Sequence, residues 1–263
     1  MGVFQNNLLA GAAAAATSGA SGFYDHQIEQ SARFDRVSSS NLSRTFSAGD
    51  RRTFTYAFWF KITAETDSSW PHAFVVGSTN NNQISHFQGG LYIQVQGNGL
   101  LTSSSGGPLF RDSGGWTHWV VAFDLDNGTN TNKIKFYHNG NLITDFSSDS
   151  RSSMGADSDF NTGTNYIGKS PQSGNMDLGA YLAEFVFIDG QQLEPSSFTE
   201  TKNGVLIPKD VSGLTFGSNG FYLKFENASD LGNDSSGNNN DFTATGLAAD
   251  HQTIDTPTNG AGS

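Results

Sequence analysis

Between Phe23 and Gly246 apolar and polar residues alternate with a period of two, and clusters of Gly, Asn, Asp and Ser interrupt the alternation. This rhythm predicts half-buried strands joined by tight turns. Thr53 to Ile62 places Phe54, Tyr56, Phe58, Phe60 and Ile62 on one face, while Ala57 and Trp59 keep the other partly apolar. A central strand covered on both sides fits that pattern. Leu91 to Gln96 sends Leu91, Ile93 and Val95 inward and Gln94 and Gln96 to solvent, and Trp116 to Leu125 gathers Trp119, Val121, Phe123 and Leu125. Ile134 to Tyr137 follows. Asn139-Gly140 then predicts a type I′ hairpin, because both residues tolerate positive φ. Tyr181 to Ile188 and Phe221 to Phe225 complete the clear strands. Short strands separated by turn clusters predict an all-β sandwich or barrel, and their spacing is too irregular for a propeller.

The two ends of the chain differ from this body. Ala and Leu dominate residues 5–16 and Gly19 and Gly22 stop the run, which predicts a short helix. A helix that short needs a surface to pack on. Residues 1–22 are therefore expected to be a docking segment, with Phe4, Leu8, Leu9, Ala12 and Ala16 as its contacts. Leu8 to Ala20 is too short and too poor in large side chains to cross roughly 30 Å of hydrocarbon. Met1 to Asn7 lacks the positive charge of a secretory leader, and Asn6 stands where a myristoylation signal wants Ser or Thr. Residues 23–247 form the expected sandwich, and the polar residues 248–263 read as a flexible tail.

Composition sharpens the picture. The chain has 263 residues, 21 of them Phe and none Cys, with 14 basic against 25 acidic side chains and a net charge of -11. Large rings must carry much of the burial. No disulfide, thiolate metal site or thiol nucleophile can exist. Acidity argues against nucleic acid and anionic membranes, which need clustered Lys and Arg.

Five stretches in order carry a family resemblance: Ser31-Ala32-Arg33-Phe34-Asp35, Phe54 to Lys61, Trp116 to Asp124, Ile134 to Gly140 with Tyr166-Ile167-Gly168, and Leu182 to Leu193. Together they resemble the laminin-G/pentraxin branch of concanavalin A-like lectins and glucanases, over about residues 28–246. The resemblance implies a two-sheet antiparallel jelly-roll sandwich, to which the Ala-rich helix is appended. The opening Phe4 to Gly11, Phe198 to Lys209, and Asn219 to Phe225 with Leu231 to Asn238 are similar to virion structural proteins of tailed phages. That likeness implies a tail-fibre or capsid-surface protein located on the virion. Its partners would be other virion proteins, held through the N-terminal segment, and further copies of itself, with a trimer fitting either position.

Candidate chemistry follows from the same strands. A retaining glucanase needs two carboxyl groups roughly 5–5.5 Å apart on one face. In Glu184 to Asp189, Val186 and Ile188 share the face of Glu184, and Asp189 points the other way. Glu184 therefore reads as a hydrogen-bonded structural carboxylate. The six histidines show no metal-ligand spacing and no Gly-x-Ser-x-Gly elbow is present, so an enzyme is not expected. Calcium, which takes six to eight oxygens, would use Asp124 and Asp126 or Asp234 and Asp241, although Asp/Asn/Gly clusters also make ordinary turns. A sugar rim would draw on Trp70, His72, Asn80, Asn82 and Trp116. Two functions stay open: a passive virion surface protein, and a lectin module that holds host-surface glycans with or without Ca²⁺.

Overall fold

A computed structural model describes residues 23–259 apart from 37, 64–71, 80, 103–105 and 170–176. Residues 1–22, and with them the expected helix and its contacts Phe4, Leu8, Leu9, Ala12 and Ala16, lie outside the described residues. The first half of the chain forms β1 (Ser31–Phe34), β2 (Asn41–Phe46), β3 (Thr53–Ile62), β4 (His72–Val76), β5 (Gln83–Phe87), β6 (Gly90–Val95), β7 (Asn98–Leu101) and β8 (Thr117–Asp124). It continues through β9 (Ile134–His138), β10 (Asn141–Ile143), β11 (Ser148–Asp149), β12 (Gly163–Ile167) and β13 (Ala180–Asp189). The last strands are β14 (Thr199–Lys202), β15 (Val205–Pro208), β16 (Phe221–Leu223), β17 (Thr243–Thr245) and β18 (Gln252–Thr253).

Two antiparallel sheets stack face to face. The first runs β10-β9-β8-β3-β13-β1-β18, with β16 pairing the second half of β13, and the second runs β11-β7-β6-β5-β4-β12-β2-β17. Alternation decides which faces meet. Across the second sheet, Leu100, Ile93, Ile84, Val75, Ile167, Leu42 and Ala244 pair in one inward row. One residue along, Gly99, Gln94, Gln83, Val76, Tyr166, Ser43 and Thr243 pair on the outside. A register slip of one residue would exchange these rows, so burial fixes the pairing.

The first sheet supplies rings. Phe54, Tyr56, Phe58, Phe60, Trp119, Phe123, Phe185 and Phe187 fill the core, with Phe58 stacked on Phe185 at 4.7 Å and Phe54 on Phe123 at 4.4 Å. Fully burying one such ring stabilises the fold by about 1.5–3 kcal/mol. The first sheet's outer face is also covered: Ala57, Val120, Val186 and Tyr222 pack under Phe198, Val211 and Phe216 from the chain after β13. Asn139 (φ 48) and Gly140 (φ 78) make the expected hairpin turn.

The C-terminal residues depart from the expectation of a free tail. β18 pairs with β1, Thr256 is fully buried, Ser31 Oγ donates to Asp255 O, and Thr258 Oγ1 accepts from Ile28 N. Short polar side chains with no apolar content can still order a strap when its backbone completes a sheet edge.

Candidate functional site

Of the residues expected at a sugar rim, the two whose side chains are described, Asn82 and Trp116, do not converge. Trp70 and Asn80 lie outside the described residues, as does the side chain of His72, whose backbone opens β4 opposite His86. Asn82 is fully buried: its Nδ2 donates to Thr79 Oγ1 and Asp159 Oδ2, and its Oδ1 accepts from Gln96 N. A saccharide cannot reach it. It sits with Arg51 and Asp159 at the start of β3, whereas Trp116 packs at the far end of β3 against Lys61. Ten residues of strand, roughly 30 Å at about 3.3 Å each, separate the two.

The calcium loops are closed by the protein's own donors. Asp234 takes Tyr222 N, Ser236 N and Oγ, and Asn240 N, and Asp241 takes Asp234 N. With its lone pairs on N–H and O–H groups, Asp234 anchors the loop. Asp124 accepts from Asn127 Nδ2, and Asp126 pairs with Arg52 at 3.0 Å. Among the described residues no three His, Asp or Glu side chains gather around a metal-sized space.

Glu184 lies in a β-bulge. The register between β13 and β3 shifts between Ala183 and Val186, and Glu184 has φ 47. That places it on the outer face beside Val186, while Asp189 turns inward onto Asp50 N, Asn161 Nδ2 and Asn219 N. Glu184 is 6% exposed and accepts hydrogen bonds from Tyr222 Oη and from His26 Nε2 at 2.8 Å. The carboxylate beside it raises the His26 pKa against the opposing effect of burial. The side chain ties Phe23–Ile28 to β13 and β16 and is shut off from any polymer.

One group of aromatic and charged side chains does reach solvent. β1 pairs with β13, and β13 with β3, so that Arg33, Tyr181 and Lys61 stand in one outward row. Trp116, one residue before β8, continues it: Lys61 Nζ lies 5.7 Å from the Trp116 ring and 4.9 Å from the Tyr181 ring. Asp255 on the C-terminal strap accepts from Lys61 Nζ and from Trp116 Nε1, fixing both. Beside the row opens a groove of about 390 Å³ lined by Arg33, Asp35, Arg36, Thr63, Gly179 and Tyr181 above buried Phe34. Gly179 lines it at close quarters. A Cβ there would come within 3.3 Å of the Arg36 side chain, and its carbonyl is held by Thr63 N and Oγ1. Size, concavity and one ring flanked by polar groups suit a small organic ligand.

The Laminin_G_3 family profile, described as the concanavalin A-like lectin/glucanases superfamily, matches residues 34–196. The chain belongs to this superfamily. The groove of this lectin-superfamily domain is built almost wholly from matched residues, with Arg33 one position outside. A candidate carbohydrate-binding protein of Bacteroides ovatus ATCC 8483 superposes with a TM-score of 0.57 at 14% identity, over 84% of this chain and 58% of that one. The chain thus spans little more than half of that protein. The heptameric SAP-like pentraxin of Limulus polyphemus gives a TM-score of 0.45 at 14% identity, over 63% of this chain and 78% of that one. The botulinum neurotoxin type G receptor-binding domain gives 0.37 at 10%, over 59% of this chain and 40% of that one. Likeness at these identities shows the fold alone. No curated protein sequence matches the chain.

Proposed function

We propose that this domain is a non-enzymatic carbohydrate-binding module and that its ligand lies in the groove beside Tyr181. The observation that carries the reading is the half-exposed Tyr181 ring at the groove wall, braced from behind by Lys61. A pyranose offers an apolar face to such a ring and hydroxyls to the groups around it, and aromatic residues in pockets supply much of the energy of recognition. A non-hydrolytic role is supported by the enclosure and hydrogen bonding of Glu184, since cleavage of a glycosidic bond needs two carboxyls flanking the scissile oxygen. Superfamily membership supports the lectin reading. The setting we propose, the surface of a tailed-phage particle with residues 1–22 as the docking arm, rests on the sequence likeness alone.

A glycan array probed with the whole chain tests the module. Calorimetry on the strongest hit should give at least a tenfold loss for Tyr181→Ala and retention for Tyr181→Phe, which keeps the ring. An array without hits, or a hit indifferent to Tyr181→Ala, refutes this site.

A further inference from the structure

We propose that the groove selects a sugar carrying a single carboxylate and that Arg33 is the group that recognises it; the proposal rests on the carbohydrate-binding reading above. Arg33 is exposed on β1, directly opposite Tyr181, between the buried Ala32 and Phe34. It makes no ion pair or hydrogen bond among the described residues, whereas Arg51, Arg52 and Arg151 are each held by carboxylates. Lys61, the other cation of the row, is already bound to Asp255. The fork of N–H donors on Arg33 is therefore open at the rim of the groove, beside the ring against which a pyranose would stack.

The open cations set how much anion the groove accepts. Of the described guanidiniums that line it, Arg36 is engaged by other groups and Arg33 is not. The whole chain carries -11. One carboxylate satisfies the one open guanidinium, whose planar fork matches it through two parallel hydrogen bonds. A polysulfated chain would extend past the groove into the field of an acidic protein and be repelled. A hexuronate or a sialate at a chain end has the right chemistry, and the two differ in where the carboxylate leaves the ring.

The experiment compares oligosaccharides ending in a hexuronate or a sialate with counterparts in which the carboxylate is reduced to the alcohol. Calorimetry is run on the full chain, on Arg33→Gln and on Arg33→Lys, with thermal melting to confirm that the exposed substitutions leave the fold intact. The acidic sugar should bind at least tenfold more tightly than its reduced counterpart. Arg33→Gln should erase that difference, and Arg33→Lys should restore part of it, a point charge replacing the fork. Equal or tighter binding of the reduced sugar overturns the proposal and leaves the carbohydrate-binding reading standing. An acid preference that survives Arg33→Gln overturns it as well. Binding of neither sugar, or of any other glycan, sinks both.

Discussion

Replacing His118 by Phe isolates one buried titration. His118 is 2% exposed, its ring lies 4.8 Å from that of Trp59, and its Nδ1 has no partner among the described residues. Burial, helped by nearby His138, holds its pKa down at about 3. An unfolded histidine titrates near 6.5. Since the folded value is the lower one, the stability His118 confers is complete above pH 6.5 and is lost as the pH falls toward 3. Linkage between an unfolded pKa of about 6.5 and a folded one of about 3 gives a loss of about 2 kcal/mol from pH 7 to pH 5. Phe keeps a ring over Trp59 and removes the proton site. Urea unfolding of both proteins at the two pH values should show the wild type losing about 2 kcal/mol more than the variant. Parallel pH dependences, differing by less than about 0.5 kcal/mol, would mean that His118 is protonated in the fold or reaches water.

Glu184→Ala strands the Tyr222 hydroxyl and releases His26, so denaturant melts should show a loss of about 3 kcal/mol, with Tyr222→Phe costing less. Because Glu184 raises the His26 pKa, that pair's contribution is present below pH 6.5 and fades as the pH rises through the raised value, so Glu184→Ala should cost less at alkaline pH. Asp234→Ala leaves the backbone N–H groups of Tyr222, Ser236 and Asn240 without their acceptor and should cost about 3 kcal/mol or more. That loss should be the same with and without a calcium chelator; a melting midpoint that rises with Ca²⁺ only in the wild type would restore the metal reading of this loop. Gln88→Asn places a residue tolerant of φ near 51 before Gly89 in an exposed hairpin turn and should raise stability by about 0.5 kcal/mol, measured by urea melts.

The strands legible in the sequence are those whose inward positions carry rings. β3 announces itself because Phe and Tyr recur at every second residue, β8 because Trp119, Val121 and Phe123 do so, and the second half of β13 because of Phe185 and Phe187. β2 and β12 do not: Asn41-Leu42-Ser43-Arg44-Thr45-Phe46 and Gly163-Thr164-Asn165-Tyr166-Ile167 hold one or two large apolar side chains each and mix with turn residues. In β4 a bulge between Ala73 and Val75 breaks the alternation outright. The bulge at Glu184 is equally hidden, since no glycine marks its left-handed residue. Of the two expected rim side chains that are described, Trp116 meets the groove's aromatic row and Asn82 does not. Arg33 and Tyr181 each show an outward position in a local pattern, yet what makes them neighbours is the pairing of β1 with β13, a register that sequence spacing does not reveal. The order of the strap carrying Asp255 is not visible in the sequence, because it comes from backbone pairing and not from apolar content.

Titrating a glycan-array hit into isotope-labelled protein and mapping the amide resonances tests the binding site most directly. Saturable shifts confined to residues 33–36, 63 and 179–181, and abolished by Tyr181→Ala, are the predicted result. Shifts centred instead on Gln94 and Tyr166 in the outward row of the opposite sheet, or no saturable shift with any glycan, would contradict it.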